Sequence, residues 1–219
     1  MDLRKVNSVT VKDRYPLPRI EDIFDALGGT TIYSTLDLKS GYWQLPIREE
    51  DREKTAFVCH KGQYEYNRVP FGLANAPAVF QRTMHKILAP VIGKSAFVYI
   101  DDVIIYSANR AEHAKHCNDV FELLEKHQIT LKRAKCRFGE PEVEILGFLI
   151  SKDGIKPIPS KTEAILDLSP PESVKEVRSF LGMVNYYRRV IPNYTQHSCE
   201  LTKLTKKNVR FEWTQKCED

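Results

Sequence analysis

No stretch of this 219-residue chain approaches the run of roughly 18–20 apolar residues that a membrane-crossing helix needs. The opening MDLRKVNSV lacks the apolar core of a secretory signal, so nothing in it is expected to send the chain out of the cell. There is no CxxC pair. The five cysteines (Cys59, Cys117, Cys136, Cys199 and Cys217) are odd in number and far apart, which argues against a disulfide frame and for reduced thiols in a cytosolic or nuclear setting. Repeats and low-complexity tracts are missing too. With 42% hydrophobic and 28% charged residues, the composition is that of an ordinary globular protein and excludes a disordered or fibrous one.

Strong charge of one sign is also lacking. A net charge of +4 permits a nucleic-acid partner without demanding one. The excess is partly local: residues 170–219 hold nine Lys/Arg against six Asp/Glu, although a solvated surface would look the same. Three short patterns carry little. His113, His116 and Cys117 lie in AEHAKHCNDVFELLEK, whose apolar residues recur at helical spacing with no second ligand pair, so they read as part of a structural helix. Asn193-Tyr194-Thr195 is a glycosylation sequon without a secretory signal. Gly93-Lys94-Ser95 resembles the end of a phosphate loop, but Leu88 stands where its first glycine belongs.

The pattern of periodicities predicts an α+β chain followed by a helical tail. Residues 1–18 read as extended, and Pro16 and Pro18 keep them out of a helix. A helix is expected over 19–27 and a strand over 30–38. A hairpin of 55–59 with 64–69 closes near Lys61-Gly62. An amphipathic helix over 78–91 precedes two apolar strands, 96–100 and 103–107, joined at Asp101-Asp102. A helix at about 110–127, short strands near 135–150, a turn at Asp153-Gly154 and helices from Ser160 complete the chain. A domain edge is expected near 156–171, and Pro170-Pro171 precedes a helix over 173–190.

Chemistry concentrates in Phe97-Val98-Tyr99-Ile100-Asp101-Asp102-Val103-Ile104-Ile105-Tyr106, where two carboxylates sit between strongly apolar strands. An isolated Asp-Asp pair is most often a hairpin turn facing water. The second feature is Asp37 in STLDLKSGYWQ, again at the end of a β-branched run. Burying an unpaired carboxylate costs several kcal/mol, so two at a tight turn need a cation or solvent, and three converging at one sheet end would make a hard-oxygen site suited to magnesium. A pair of such ions about 3.5–4 Å apart supports in-line phosphoryl transfer. This argument does not choose between a polymerase and a nuclease.

The strings DLRKVN, YPLPRIEDIFDALGG, TLDLKSGYWQLPI, KTAFVCHKGQYEYNRVPFGLANAPAVFQ, FVYIDDVIIYS, LKRAKCRFGEPEVEILGFLIS and VKEVRSFLGMVNYYRRVIP resemble, in the same order, the reverse transcriptases of Ty3/gypsy-type retrotransposons. The resemblance covers essentially the whole chain. It implies the right-hand polymerase fold, with an antiparallel-sheet palm, partial fingers and a helical thumb. It also implies RNA- and DNA-directed DNA polymerase activity with two Mg²⁺ ions, or Mn²⁺ in their place. Asp37, Asp101 and Asp102 would bind the metals, joined by the backbone carbonyl of Leu38. Tyr42 occupies the place of the steric gate that excludes a ribose 2′-OH, although its residue pattern alone also suits core packing beside Trp43. Phe71 and Gly72 match the segment under the incoming nucleotide. Lys135 matches the lysine that protonates the pyrophosphate leaving group.

Further from the metals, the resemblance implies that Leu146-Gly147 grips the primer end and that Arg4 lies near the template. Arg178, Gly182 and Tyr186, at i, i+4 and i+8, share a helix face suited to a nucleic-acid minor groove; Gly182 also suits plain close helix packing. Val177, Phe180, Leu181 and Val184 form the packing stripe beside them. The implied organisation is partial fingers and palm over 1–155, a thumb over 156–208, and over 209–219 the start of a tether to a ribonuclease H domain. Expected partners are an RNA or DNA template with its primer, dNTPs, and the protease, ribonuclease H and integrase domains of a Gag-Pol polyprotein. No membrane is expected, and the implied setting is the cytoplasm, in a virus-like particle, or the nucleus. The chain opens after the basic residues with which the family's fingers hold the triphosphate. The alternative expectation is therefore a truncated or domesticated remnant that binds primer–template without catalysis.

Overall fold

The structure, a computed structural model, describes residues 1–218; Asp219, the last residue of the expected tether, lies outside the described residues. The chain divides into two compact units. The first comprises Met1–Val143 with Ser151–Asp153, and the second Glu144–Ile150 with Gly154–Asp219. The expected edge at 156–171 falls inside the second unit.

In the first unit the chain runs through α1 (Arg4–Val9), α2 (Ile20–Leu27), β1 (Ile32–Asp37), α3 (Glu49–Arg52), β2 (Phe57–Cys59), β3 (Gly62–Tyr64), α4 (Ala76–Ile87), β4 (Ala96–Tyr99), β5 (Asp102–Ser107), α5 (Arg110–Lys126) and β6 (Arg137–Glu140). Four strands form one antiparallel sheet in the order β4-β5-β1-β6. Both β1 and β5 are β-branched and apolar, and α4 and α5 pack against the sheet. Leu36, Val98, Val103 and Ile105 of the strands meet Phe80 and Met84 of α4 and Val120 and Leu124 of α5, all buried. The start of α5 is fixed by Asn109, whose side chain accepts the Glu112 N–H at 3.0 Å.

In the first unit several details differ from the periodicity reading, and α4 both starts and stops earlier than the expected 78–91. Residues 4–9 are helical where an extended segment is expected, because long-range contacts hold them there. Leu3 is buried, while the Asn7 side chain donates to Gly72 O (2.7 Å) and accepts from Ala74 N (2.8 Å). The hairpin β2–β3 is shorter than expected because the chain leaves it after Tyr64. Asn67 and Val69 pair instead with Ile47 and Leu45.

The second unit holds most of a three-stranded sheet, β7 (Glu142–Ile145), β8 (Phe148–Ser151) and β9 (Gly154–Pro157), followed by α6 (Pro159–Leu166), α7 (Val174–Asn185), α8 (Tyr194–His197), α9 (Cys199–Leu204) and α10 (Gln215–Glu218). Ser173 caps α7 by accepting the Glu176 N–H, and Glu176 reaches back to the Glu172 N–H. Val177, Leu201 and Leu204 form its small core with Phe180, Leu181, Phe211 and Trp213. α7 stops at Asn185, short of the expected Val190, where Tyr186 and Tyr187 turn their rings onto Phe148. Among the described residues no helix is long and apolar enough to cross a membrane.

Candidate active site

β1 ends on Asp37 and β5 begins on Asp102, and the two are direct register partners across the antiparallel pair. Asp101 precedes Asp102 in the turn that joins β4 to β5, so the sheet topology brings all three expected carboxylates to one end. That turn is a two-residue hairpin loop between the paired Tyr99 and Asp102. Its first loop residue, Ile100, has φ +53. This position normally belongs to glycine, and a β-branched residue in the left-handed region carries about 1–2 kcal/mol of strain.

Gln81 of α4 compensates that strain. Its side chain is fully buried, its Oε1 accepts the Ile100 N–H at 2.6 Å, and its Nε2 donates to Val98 O at 2.9 Å. The sequence reading missed this residue. The available signal was an amide on the stripe shared with Met84 and Leu88, otherwise wholly apolar and buried.

Asp101 and Asp102 are exposed overall, yet each carboxyl rests against protein on one side. This partial burial raises the pKa of Asp101, and the charges of Asp102 and then Asp37 raise it further. Asp102 is likewise raised, by burial first and then by Asp37. Lys135, on a short 3₁₀ turn (Arg133–Lys135), brings Nζ to 3.5 Å from Asp37 Oδ2. A cavity of ≈ 330 Å³ opens over this group, and Lys39, Lys132 and Lys135 line it together with Asp37, Asp101 and Phe71. Lys39 and Lys132 were not singled out from the sequence.

Leu38 is buried and bridges Leu131. The hydrogen bonds flanking that bridge use Asp37 O and Lys39 N and pass over the Leu38 carbonyl. Among the described residues, no group of three His, Cys, Asp or Glu side chains is arranged to hold a single metal ion.

Two glycines shape the floor. A Cβ on Gly41 would lie 2.7 Å from Asp101 Oδ1 and 3.2 Å from Phe80 Cζ, so the carboxylate approaches bare backbone there. Gly41 was also missed, since sequence shows a glycine but not what comes close to it. Gly72 has φ +97, which a side chain rarely adopts, and its carbonyl is tied to Asn7. Tyr42 follows Gly41 on a 3₁₀ turn (Gly41–Gln44), half-buried, with its ring centroid 5.1 Å from Phe71 and 5.5 Å edge-on to Phe80. Partial burial, then the Asp101 charge, raises its phenol pKa.

Elsewhere in the first unit, Arg4 is 90% exposed and paired with Asp2, not with any residue of this group. His113 lies between Ser34 Oγ (2.7 Å) and Ser107 Oγ (2.9 Å), which also meets His116, so these histidines pin α5 to the sheet, as the helix reading expected.

In the second unit, Leu146 (φ +48) and Gly147 (φ +77) form the β7–β8 turn. Tyr186 OH donates to Leu146 O at 2.6 Å, and a Cβ on Gly147 would come within 3.2 Å of Tyr187 OH. Arg178, Gly182 and Tyr186 are all exposed, while Val177, Phe180 and Leu181 pack inward and Val184, the fourth residue of the expected stripe, is half-buried outside that cluster. Arg178 donates to Thr205 O at 3.0 Å. A Cβ on Gly182 would meet nothing within 4 Å, so no close packing of the described residues requires a glycine there.

Comparison with known proteins follows the same lines. The family model for reverse transcriptase (RNA-dependent DNA polymerase) matches residues 1–150. The chain is 43% identical over its whole length to the Pol polyprotein of transposon 297 and 44% identical over 94% of its length to that of transposon gypsy, both from Drosophila melanogaster. It spans only 20% of each. Among solved structures, the foamy viral protease–reverse transcriptase in complex with dsDNA is 28% identical with a TM-score of 0.84, over 99% of this chain and 46% of that one. The form of that enzyme designated dRH, also with dsDNA, gives a TM-score of 0.85 over 98% of this chain and 38% of that one. The α+β architecture is accordingly the right-hand polymerase fold expected from the motifs. With its ordered motifs, its carboxylate-bearing sheet end and these likenesses, the chain belongs to the reverse transcriptase family, among the Ty3/gypsy-type transposon Pol polyproteins.

Proposed function

We propose that the chain is the polymerase part of a retrotransposon Pol polyprotein and adds dNTPs to a primer 3′-OH on RNA and DNA templates. The observation that carries this reading is the meeting of Asp37, Asp101 and Asp102 at one sheet end beside the Tyr42–Phe71 ring pair. The donor set suits a hard divalent cation: all the ligands are oxygens, and burial together with neighbouring like charge raises the pKa of Asp101 and Asp102, a cost that a cation would relieve. As no three of the described carboxylates are arranged to hold an ion by themselves, substrate phosphates would have to complete the coordination. Two Mg²⁺ ions, or Mn²⁺, held by Asp37, Asp101, Asp102 and the Leu38 carbonyl would acidify the primer hydroxyl and neutralise charge on the leaving oxygen.

The chain's own residues supply the rest. The triphosphate enters a pocket rimmed by Lys39, Lys132 and Lys135, whose ammonium groups attract its charge. The primer hydroxyl loses its proton to water and its oxygen bonds to the α-phosphorus. As the bond from that phosphorus to the oxygen bridging to the β-phosphate breaks, Lys135 gives a proton to the departing pyrophosphate. Its position beside Asp37 supports that role. Tyr42, braced by Phe71 and Phe80, lies where a ribose 2′-OH would collide, and Phe71 with Gly72 forms the surface under the nucleotide.

In the second unit the Leu146-Gly147 turn holds the primer end. The exposed face of Arg178, Gly182 and Tyr186 meets the duplex, and the open space at Gly182 supports that approach. Arg4, exposed on the first unit, contacts the template. We assign fingers and palm to 1–155, thumb to 156–208 and the tether to 209–219. Protease, ribonuclease H and integrase are the partners in the polyprotein, and the five free thiols suit a reducing compartment, cytoplasmic or nuclear.

Primer extension on an RNA template with Mg²⁺ tests the reading. Extension that disappears in Asp101→Asn supports it. Salt-sensitive primer–template binding without any extension supports a binding remnant instead, and template degradation without extension supports a nuclease.

A further inference from the structure

His85 does not touch the carboxylates, yet it is joined to them through one buried side chain. Gln81 Nε2 lies 2.9 Å from His85 Nε2, and His85 Nδ1 lies 3.1 Å from the Tyr15 hydroxyl. We infer that His85, held by Tyr15, is a positioning residue for the catalytic turn, fixing the orientation of the Gln81 amide that holds Ile100 in its left-handed conformation.

The donor and acceptor inventory leaves one assignment. The Ile100 N–H can only donate, so the atom 2.6 Å from it is the Gln81 oxygen. The Gln81 NH₂ then faces Val98 O and His85 Nε2, and its two hydrogens need two acceptors. His85 Nε2 must therefore carry a lone pair, its proton resides on Nδ1, and Nδ1–H donates to Tyr15 OH. A His85 protonated on both nitrogens would set N–H against N–H. Flipping the amide would not help, because Oε1 would then face Val98 O and the NH₂ would face the Ile100 N–H. With Gln81 fully buried, water cannot replace any of these partners.

The surroundings favour the neutral ring. Burial depresses the His85 pKa. Tyr15 is part of a strap along α4 in which Asp13 pairs with Arg82 at 2.6 Å and the Arg82 guanidinium stands 5.0 Å over the Tyr15 ring. On the strap and on α4 the charges of Asp13 and Arg82 thus offset one another, Arg14 and Lys86 are the cations adjoining Tyr15 and His85 in sequence, and β4 presents the neutral Val98 carbonyl. Asn75 fastens the strap further, accepting from Asp13 N and donating to Val11 O. The chain of contacts runs from the strap through Tyr15, His85 and Gln81 to the turn beside Asp101.

The inference rests on the polymerase reading, and its test separates the two. Single-nucleotide addition by the full chain is measured against pH for the wild type, His85→Leu, His85→Gln and Tyr15→Phe. The ¹⁵N shifts of His85 and the hydrogen exchange of the Ile100 amide are followed in parallel. The wild type should show the Nδ1–H tautomer and a slowly exchanging Ile100 amide. His85→Leu, which offers no acceptor, should lose about 10–100-fold in kcat with KM for the nucleotide little changed, since misplacement of a reacting group by 1 Å costs up to about 100-fold. His85→Gln keeps an acceptor without titrating, so it should retain most of the rate and lose the acid limb of the pH profile. Tyr15→Phe leaves the ring under Arg82 and should speed Ile100 exchange, which keeps the inference testable if His85→Leu fails to fold. An Nε2–H tautomer overturns the inference, as does wild-type Ile100 exchange in the variants or an acid limb preserved in His85→Gln. A wild type with the expected tautomer but no nucleotide addition overturns the polymerase reading and leaves the positioning contact standing.

Discussion

Removing the Asp101 charge should make the metal-free protein more stable while abolishing its chemistry. Asp101 meets partial burial and the like charges of Asp102 and Asp37, all of which raise its pKa above 3.8. Asp101 lies in the loop beside the opposed pair Asp37 and Asp102. Like charges opposed across a strand pair cost roughly 0.2–1 kcal/mol, and with screening at this exposed sheet end the cost at Asp101 is taken as about 0.5–1 kcal/mol. Asp101→Asn preserves the side chain's shape and hence its approach to Gly41, so the unfolding midpoint in EDTA should rise by about 1–4 °C for a chain of this size. The sign fixes the pH dependence. For an acid whose folded pKa is raised, the cost is complete above the folded value and is relieved as pH falls through that value toward 3.8. The variant's advantage should therefore be largest near neutral pH and shrink in acid. Mg²⁺ at tenfold its Kd should stabilise the wild type by about 1.4 kcal/mol and the variant by less, reversing the order. Scanning calorimetry with and without Mg²⁺, run beside primer extension, gives both readouts. A lower midpoint for Asp101→Asn in EDTA, or equal Mg²⁺ stabilisation of both proteins, would refute the reasoning.

Gly41→Ala should place a methyl 2.7 Å from Asp101 Oδ1, displacing the carboxylate and slowing extension by about 100-fold; a rate near wild type rules out the close approach. Gln81→Leu leaves the Ile100 N–H without its buried acceptor and should cost about 1–3 kcal/mol in urea unfolding. Tyr42→Ala, by opening the space beneath the sugar, should raise ribonucleotide use relative to deoxynucleotide; an unchanged ratio of kcat/KM for the two denies it the gate role. His113 is buried between two serines, and burial, then His116, depresses its pKa. A base with a depressed folded pKa contributes stability that is complete above its unfolded value of 6.5 and lost as pH falls below it. The urea midpoint should accordingly drop between pH 7 and pH 5.5, and His113→Gln should flatten that decline.

The convergence of the three carboxylates was legible because each lies at the end of a strongly apolar, β-branched run, and such a run both predicts a strand and makes a charge at its end conspicuous. The same property hid the strain in the turn. Isoleucine in the left-handed region contradicts local propensity, and only a buried amide from a helix nearly twenty residues earlier makes it tenable. α1 escaped notice for a similar reason: its six residues bury no apolar stripe of their own and are held by Asn7 on the Gly72 loop. The domain edge near 156–171 was inferred from prolines and helical periodicity. The compact division instead assigns β8 and β9 largely to the helical tail, where Tyr186 and Tyr187 dock on Phe148 and on the β7–β8 turn, contacts that no periodicity encodes.

The site therefore concentrates two costs in a few adjacent residues: backbone strain at Ile100, and mutual repulsion among Asp37, Asp101 and Asp102. They are offset by different means. Strain is met within the protein, by Gln81 and the chain of contacts through His85 and Tyr15, and is balanced whether or not substrate is present. Repulsion is met only partly within it, by Lys135 at 3.5 Å from Asp37, and on the proposed reading its remainder would favour a cation arriving with a triphosphate. Geometry is thus settled before binding while charge is left open for it. Substitutions along the Gln81 chain should accordingly move kcat, and those among the rim lysines Lys39 and Lys132 should move KM for the nucleotide first.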